Sequence, residues 1–430
     1  MNTTNLNVLS LDSNSVGSFK KSASGNSWVG SEIDLALPYS DAQLWESCSF
    51  YNSLDSALVG IASDTIASNC EEADAVVAVD KARNYRLFLL KDVQTTSVIN
   101  LDNIELILNG HKLNLTTAMQ ASKDCIIDGR IKGSTILGKT LLELSSGICE
   151  IKGGTYQMNT SKSGIDGSPF PCLNAIGGSL NIQNATLIAI DDNGGTISNI
   201  VVAQGATLTA KDSYFKLTSK YGMQSCCVFT RGVVTLERCK LEAFSDHTAN
   251  SAGTNYARTA RAIYGETTSV TSLFDCYVYG AHSGMTYKGD LTIDGGTYCG
   301  YSHGGVYLSN SNKTNKIKNA TFKEVPLPSG YYDDGVAGTN LAGIYVGGAS
   351  GIQVYVDNCT FFAQAQPIVL KTGGNTLYIS NSRMNKNYTR AGIRNDSSNQ
   401  VKFGVNNNFN YTNLENKRNY EDTGLDYGIQ

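Results

Sequence analysis

Short runs in which apolar and polar positions alternate follow one another along most of the chain, broken by Gly, Asn and Asp. A period of two belongs to a β-strand, whose successive side chains point to opposite faces, and runs this short cannot carry the 3.6-residue period of a helix. The runs are also copies of one another. From about residue 104 one phrase recurs: an apolar strand, a polar residue often Asn or Asp, a small residue, one more residue, then an apolar or aromatic one. It reads LNGHKL at 108–113, IDGRI at 127–131, IKGGTY at 151–156, IQNATL at 182–187, AKDSYF at 210–215 and LERCKL at 236–241. It continues as LFDCYV at 273–278, TIDGGTY at 292–298, IKNATF at 317–322, VDNCTF at 356–361 and ISNSRM at 379–384, with a weaker copy, VNNNF, at 405–409.

The small position gives the register: Gly110, Gly129, Gly154, Ala185, Ser213, Cys239, Cys276, Gly296, Ala320, Cys359, Ser382 and Asn407, at spacings from 19 to 39 residues. A minimum near 20 with occasional large excess is the signature of a solenoid whose insertions loop outward at one corner. Between the copies lies a second strand, as in CVFTRG, AIYGE, GMTYKG, GVYLS, GIYVGG and PIVLKTG, each followed by a turn and the next copy. The expected fold is therefore all-β, a solenoid of about a dozen coils with three short strands each, over residues 76–410.

The flanks differ. Residues 1–39 are rich in Ser and Asn and read as an extended arm, and the stretch after 410 reads as a terminal tail or cap. Ser40 to Gln43 fits a capping box, and Leu44, Cys48, Tyr51, Leu54, Leu58 and Ile61 follow at helical spacing, which predicts an amphipathic helix. That helix either caps the first coil or joins chains by self-association. Residues 1–75 thus form an N-terminal module.

Composition explains this pattern and removes several functions. The 43 glycines, with abundant Asn, serve tight corners that demand positive φ. A net charge of −4 leaves no footprint for nucleic acid. No apolar run approaches the roughly 18 residues of a membrane span. The N-terminus lacks the basic and apolar regions of a secretory signal, so synthesis in a reducing compartment is expected. The 11 cysteines are odd in number with no CxxC pair, which reads as free thiols. Cys239, Cys276 and Cys359 alternate with Gly and Ala in the register column and so behave as small buried residues.

The NATF and DNCTF turns and the coil length resemble the right-handed, single-stranded parallel β-helix of the pectin-lyase-like superfamily, over roughly residues 75–410. A chain of this kind with an N-terminal module and no signal peptide is similar to bacteriophage tailspikes and related virion appendages. The resemblance implies a homotrimer located in the virion, attached to tail or head proteins through its N-terminal region, that binds and in some members depolymerises host surface polysaccharide. Two other classes remain open: a stand-alone polysaccharide lyase or glycoside hydrolase, and a non-enzymatic structural fibre or adhesin.

No standard catalytic motif or metal-ligand spacing occurs, and no cofactor or metal is expected. Chemistry is sought on the outer wall instead. The largest insertions, 242–261 and 323–342, are expected to leave one corner and to wall a trough. Aligning AIYG, GMTY, GVYL and GIYV places Ile263, Met285, Val306 and Ile344 in one column and Tyr264, Thr286, Tyr307 and Tyr345 in the next, extended by Phe229. If the first column is core, the second is exposed. It reads either as a stacking ladder for sugar rings or as sheet-stabilising aromatic neighbours. His282 and His303 begin aligned segments one coil apart, near Asp333 and Asp334. These four are the candidate acid/base residues, against solvated turn residues or a metal site. Arg258, Arg261 and Glu266 are candidates for gripping an acidic saccharide, against ordinary loop solvation.

Overall fold

The computed structural model describes residues 19–21, 28–30, 47–64, 73–79, 83–160, 169–191, 196–219, 225–245, 260–300, 304–323, 342–362, 366–384, 392–408, 414–415 and 420–427. They form two compact units, residues 1–159 with 173–187, and residues 160–172 with 188–430. Each is a right-handed parallel β-helix in which successive strands of a coil fall into three parallel sheets.

In the first unit the interior of the first sheet is one column, Leu87, Leu106, Ile127, Ile151 and Ile182, each paired in register with the next. Leu113, Ile136 and Tyr156 fill the second sheet, and Met119, Leu142 and Leu173 the third. This unit opens with antiparallel strands, Ser47–Tyr51 on Ala75–Val79 on Tyr85–Leu89. The helix is shorter than its sequence stripe. Cys48 and Tyr51 lie in the strand, and the helix runs only from Leu54 to Ala62, N-capped by Ser53, whose hydroxyl accepts from the Ser56 amide at 3.1 Å. Pairing with Ala75–Val79 claims the Ser-Cys-Ser-Phe-Tyr segment for strand, overriding the helical spacing. The segment Ser40–Gln43 lies outside the described residues. Leu54, Ala57 and Gly60 face inward, the Thr95 hydroxyl donates to Asp55 Oδ1 at 2.6 Å, and the Tyr85 hydroxyl donates to Asp64 Oδ1 at 2.9 Å. The helix is thereby docked on the first strands of the coil.

In the second unit the interior columns are longer. The first sheet stacks Leu236, Leu273, Ile293, Ile317, Val356, Ile379 and Phe403. The second stacks Phe215, Leu241, Val278, Tyr298, Phe322, Phe361 and Met384. The third stacks Ile200, Val228, Ile263, Met285, Val306, Ile344, Ile368 and Ile393. Each buried aliphatic side chain in such a column contributes about 1.5–3 kcal/mol. Strands Leu414–Glu415 and Tyr420–Asp422 continue the third and first sheets beyond residue 410.

The repeated phrase is the corner between the first and second sheets, where, from Asn184 to Ser382, two residues join the strands. The first of the two is left-handed: φ is 50° at Asp212, 49° at Arg238, 50° at Asp275, 56° at Asn319, 48° at Asn358 and 52° at Asn381. Asn, Asp and Gly tolerate this region; Arg238 is held there by two hydrogen bonds to Asp212, at 2.7 and 2.9 Å, and one to Glu237. The second residue fills the buried niche. Where it has a donor, it bonds the carbonyl two residues back: Ser213 to Lys211 at 2.8 Å, Cys239 to Glu237 at 3.5 Å, Cys276 to Phe274 at 3.4 Å, Cys359 to Asp357 at 3.2 Å and Ser382 to Ser380 at 2.8 Å. Cys125, Cys149, Cys172, Cys226, Cys227, Cys239, Cys276, Cys299 and Cys359 are free and buried.

Candidate functional site

The corner between the second and third sheets is the variable one: strand Lys240–Ser245 resumes at Arg261, and strand Thr321–Lys323 resumes at Ala342. Both long insertions leave this corner. Residues 246–259 and 324–341 lie outside the described residues, and with them Arg258, Asp333 and Asp334; His303 does too.

On the third sheet of the second unit the aligned columns stand in register. Val201, Phe229, Tyr264, Thr286, Tyr307, Tyr345, Val369 and Arg394 are successive partners on the outer face. The column divides by exposure. Phe229 and Tyr264 stack in parallel, centroids 5.6 Å apart, and are buried at 0% and 7% exposure together with Cys226. Tyr307 and Tyr345 are half-buried, and their rings, 5.0 Å apart, are tilted by 57°. Parallel rings cover each other's faces, whereas a tilted pair leaves ring face available to a ligand. Gly347 makes room for the Tyr345 ring. A Cβ on Gly347 would lie 2.5 Å from a Tyr345 ring carbon.

Two residues further on, a second outward column runs Arg231, Glu266, Lys288, Ser309, Gly347, Lys371 and Asp396, each amide bonding the carbonyl one coil back. Arg231 lies over the Phe229 ring at 5.1 Å and Lys288 over the Tyr264 ring at 5.2 Å. Lys288 pairs with Glu266 at 3.2 Å, while Asp396 receives Lys371 at 2.7 Å and Arg394 at 2.5 Å. Desolvation works against the Asp396 carboxylate, but bonds from Arg394 and Lys371 hold its pKa below the usual value.

Thr286 breaks the aromatic column, and Arg261 fills the gap. Its Nε donates to Thr286 Oγ1 at 2.8 Å, and its guanidinium lies 5.4 Å from the Tyr264 centroid. Burial lowers the Arg261 pKa, yet an arginine keeps its charge at neutral pH. The Thr286 hydroxyl is 3.0 Å from Ser283 Oγ, which is 3.2 Å from His282 Nδ1. His282 and Arg261 are therefore linked through two hydroxyls. Burial raises the Tyr307 hydroxyl pKa, opposed by the charges of Arg261 and Lys288; the Tyr345 hydroxyl is raised the same way, with Asp396 adding and Arg394 opposing.

Of the sequence candidates, the structure thus brings together Tyr264, Tyr307, Tyr345, Arg261, Glu266 and His282 on one face. The residues that sequence reasoning missed are Arg231, Lys288, Lys371, Arg394 and Asp396. For all but Arg394, which lies within strand Ile393–Asn395, the signal was the position one residue past each second strand, charged in CVFTR, AIYGE and GMTYK. Among the described residues no cluster of three potential ligands could hold a metal ion.

No protein-family model matches the chain, and no curated protein matches it. Among solved structures it is similar to a mutant of the tailspike protein of E. coli bacteriophage HK620 in complex with a pentasaccharide, at 14% sequence identity, with 82% of this chain and 71% of that chain covered and a TM-score of 0.29.

Proposed function

We propose that the chain is a tailspike-like virion protein that binds host surface polysaccharide on the outer face of the third sheet in its second unit. The observation that carries the reading is the tilted Tyr307–Tyr345 pair, half-buried and bordered by Arg261, Lys288, Arg394 and Asp396. Sugar rings offer an apolar face to an aromatic ring and hydroxyls to charged and amide groups, so this mixture suits them. Tyr264 contributes as packing behind the face, since it is closed off by Phe229. Attachment to the particle through residues 1–75 and a trimeric state belong to the same proposal. Val233 at 46% and Val270 at 43% exposure, adjacent on the first sheet, support self-association there. Cleavage of the bound glycan is assigned to Asp333, Asp334, His282 and His303.

The test is a glycan array of bacterial capsular and cell-wall polysaccharides, read for wild type, Tyr307→Ala and Tyr345→Ala. Each substitution is expected to weaken the best hit by about tenfold or more, from loss of a stacking contact. Unchanged binding by both variants, with the fold intact by circular dichroism, would overturn the placement. Release of reducing ends or unsaturated products by wild type, and its loss in an Asp333→Ala, Asp334→Ala double variant, is the expected result for the cleavage assignment; equal product from both would remove it.

A further inference from the structure

The first sheet of the second unit carries an aromatic stack that the proposed glycan-binding face does not use. Its middle outward column runs Thr209, Thr235, Ser272, Thr292, Lys316, Tyr355, Tyr378 and Lys402, each paired in register with the next. Small hydroxyl side chains thus give way to two tyrosines on neighbouring coils. The Tyr355 and Tyr378 rings stack with centroids 4.4 Å apart and planes 4° apart. Other tyrosine pairs of the unit meet differently: Tyr307 and Tyr345 at 5.0 Å and 57°, Tyr378 and Tyr427 at 5.2 Å and 69°.

Parallel in-register strands aim both side chains the same way. Two near-parallel rings one coil apart therefore set like atoms opposite each other, hydroxyl beside hydroxyl and ortho ring carbon over ortho ring carbon. Desolvation raises the Tyr355 hydroxyl pKa and the neighbouring Tyr378 hydroxyl raises it further, in keeping with that placement. Both side chains are half-buried. The Tyr355 hydroxyl donates to Gln353 Oε1 at 3.4 Å, a long bond that holds its proton weakly. Cys359, the cysteine nearest in the chain to Tyr355, is shielded: it is 0% exposed, its thiol bonds the Asp357 carbonyl at 3.2 Å, and burial raises its pKa to about 12.

We propose that Tyr355 and Tyr378 form an oxidative cross-linking site, joined by a one-electron oxidant into a dityrosine that staples two neighbouring coils. Each phenol loses one electron and its hydroxyl proton. The two tyrosyl radicals pair their electrons in a new bond between ortho ring carbons, and the hydrogens on those carbons move to the oxygens, restoring both phenols. Hydrogen peroxide acting through a haem peroxidase is the oxidant: one peroxide takes up the two electrons and two protons and leaves as two waters. Stacking makes the coupling of the two rings intramolecular, so it outruns coupling between chains. The bridge pins the coil on which strands Gln400–Phe403 and Tyr420–Asp422 are stacked.

The full-length protein is treated with a haem peroxidase and hydrogen peroxide and read by dityrosine fluorescence, denaturing gel and peptide mass spectrometry. The expected product still runs as a single chain and contains a linked peptide pair, Tyr355 with Tyr378, lighter by two hydrogens, at a yield independent of protein concentration. Because the bridge closes a loop of one coil, thermal unfolding is expected to rise by about 3–6 °C. Tyr355→Phe and Tyr378→Phe keep the ring stack and remove one phenol each. Each is expected to abolish the linked pair and the rise in unfolding temperature, while the circular dichroism of the untreated protein stays unchanged. A Tyr355–Tyr378 pair that never forms, intramolecular dityrosine that persists undiminished in both Phe variants, or cross-links that form only between chains would overturn the proposal.

Discussion

Cys276 shows how much a single position in the coil is constrained. Its side chain is 1% exposed, its thiol bonds the carbonyls of Phe274 and Leu236, and burial raises its pKa to about 12. The column of Ser213, Cys239, Cys276, Cys359 and Ser382 is thus a set of small donors closing the same corner, and its cysteines are not nucleophiles. Cys276→Ser keeps the donor and is expected to change stability by less than about 1 kcal/mol, whereas Cys276→Leu overfills the niche and should cost about 1–3 kcal/mol. Chemical denaturation of both variants measures the difference. A tolerated Leu would show that the niche is not the tight corner described.

At the scale of an element, the two-residue corner decides where strands stop. Its left-handed first residue also builds a ladder: Asn358 donates to Asn319 at 2.8 Å, Asn319 to Asp294 at 2.7 Å, and Asn406 to Asn381 at 3.0 Å. Asn358→Val puts a β-branched residue at φ 48° and removes one rung, so a loss of at least about 1–2 kcal/mol is expected, with Asn358→Gly milder. Thermal unfolding of the two variants checks the order, and an equal effect would mean that backbone strain is not what the Asn relieves. The corner is what made the fold legible. Asn, Asp and Gly followed by a small residue is a local signal, set by φ and by the size of one niche, and it repeats. The helix boundary was less legible: Cys48 and Tyr51 share helical spacing with Leu54 and Leu58, but pairing with Ala75–Val79 is non-local and leaves no mark in that spacing.

For the whole molecule, stacking coils turns a one-dimensional repeat into faces. Aligning four strand copies was enough to place Tyr264, Thr286, Tyr307 and Tyr345 side by side, because parallel in-register pairing carries one coil's position onto the next. Exposure was not legible. Nothing in AIYG and GVYL distinguishes Tyr264, packed against Phe229, from the half-buried Tyr307. The difference comes from what lies beside each ring: Cys226 and Phe229 pack on Tyr264, whereas Tyr307 meets the tilted Tyr345, whose ring occupies the room that Gly347 leaves. Charge followed the same logic, since Arg231, Glu266 and Lys288 fall outside the apolar strand cores and become a column only when the coils are stacked.

The most direct measurement of the central claim is a crystal structure of the full chain with a bound oligosaccharide from its best polysaccharide hit. The expected result is a sugar ring in van der Waals contact with Tyr307 or Tyr345 and within hydrogen-bond distance of Arg261 or Lys288. A saccharide bound on the first or second sheet, or at a distance from these side chains, would contradict it.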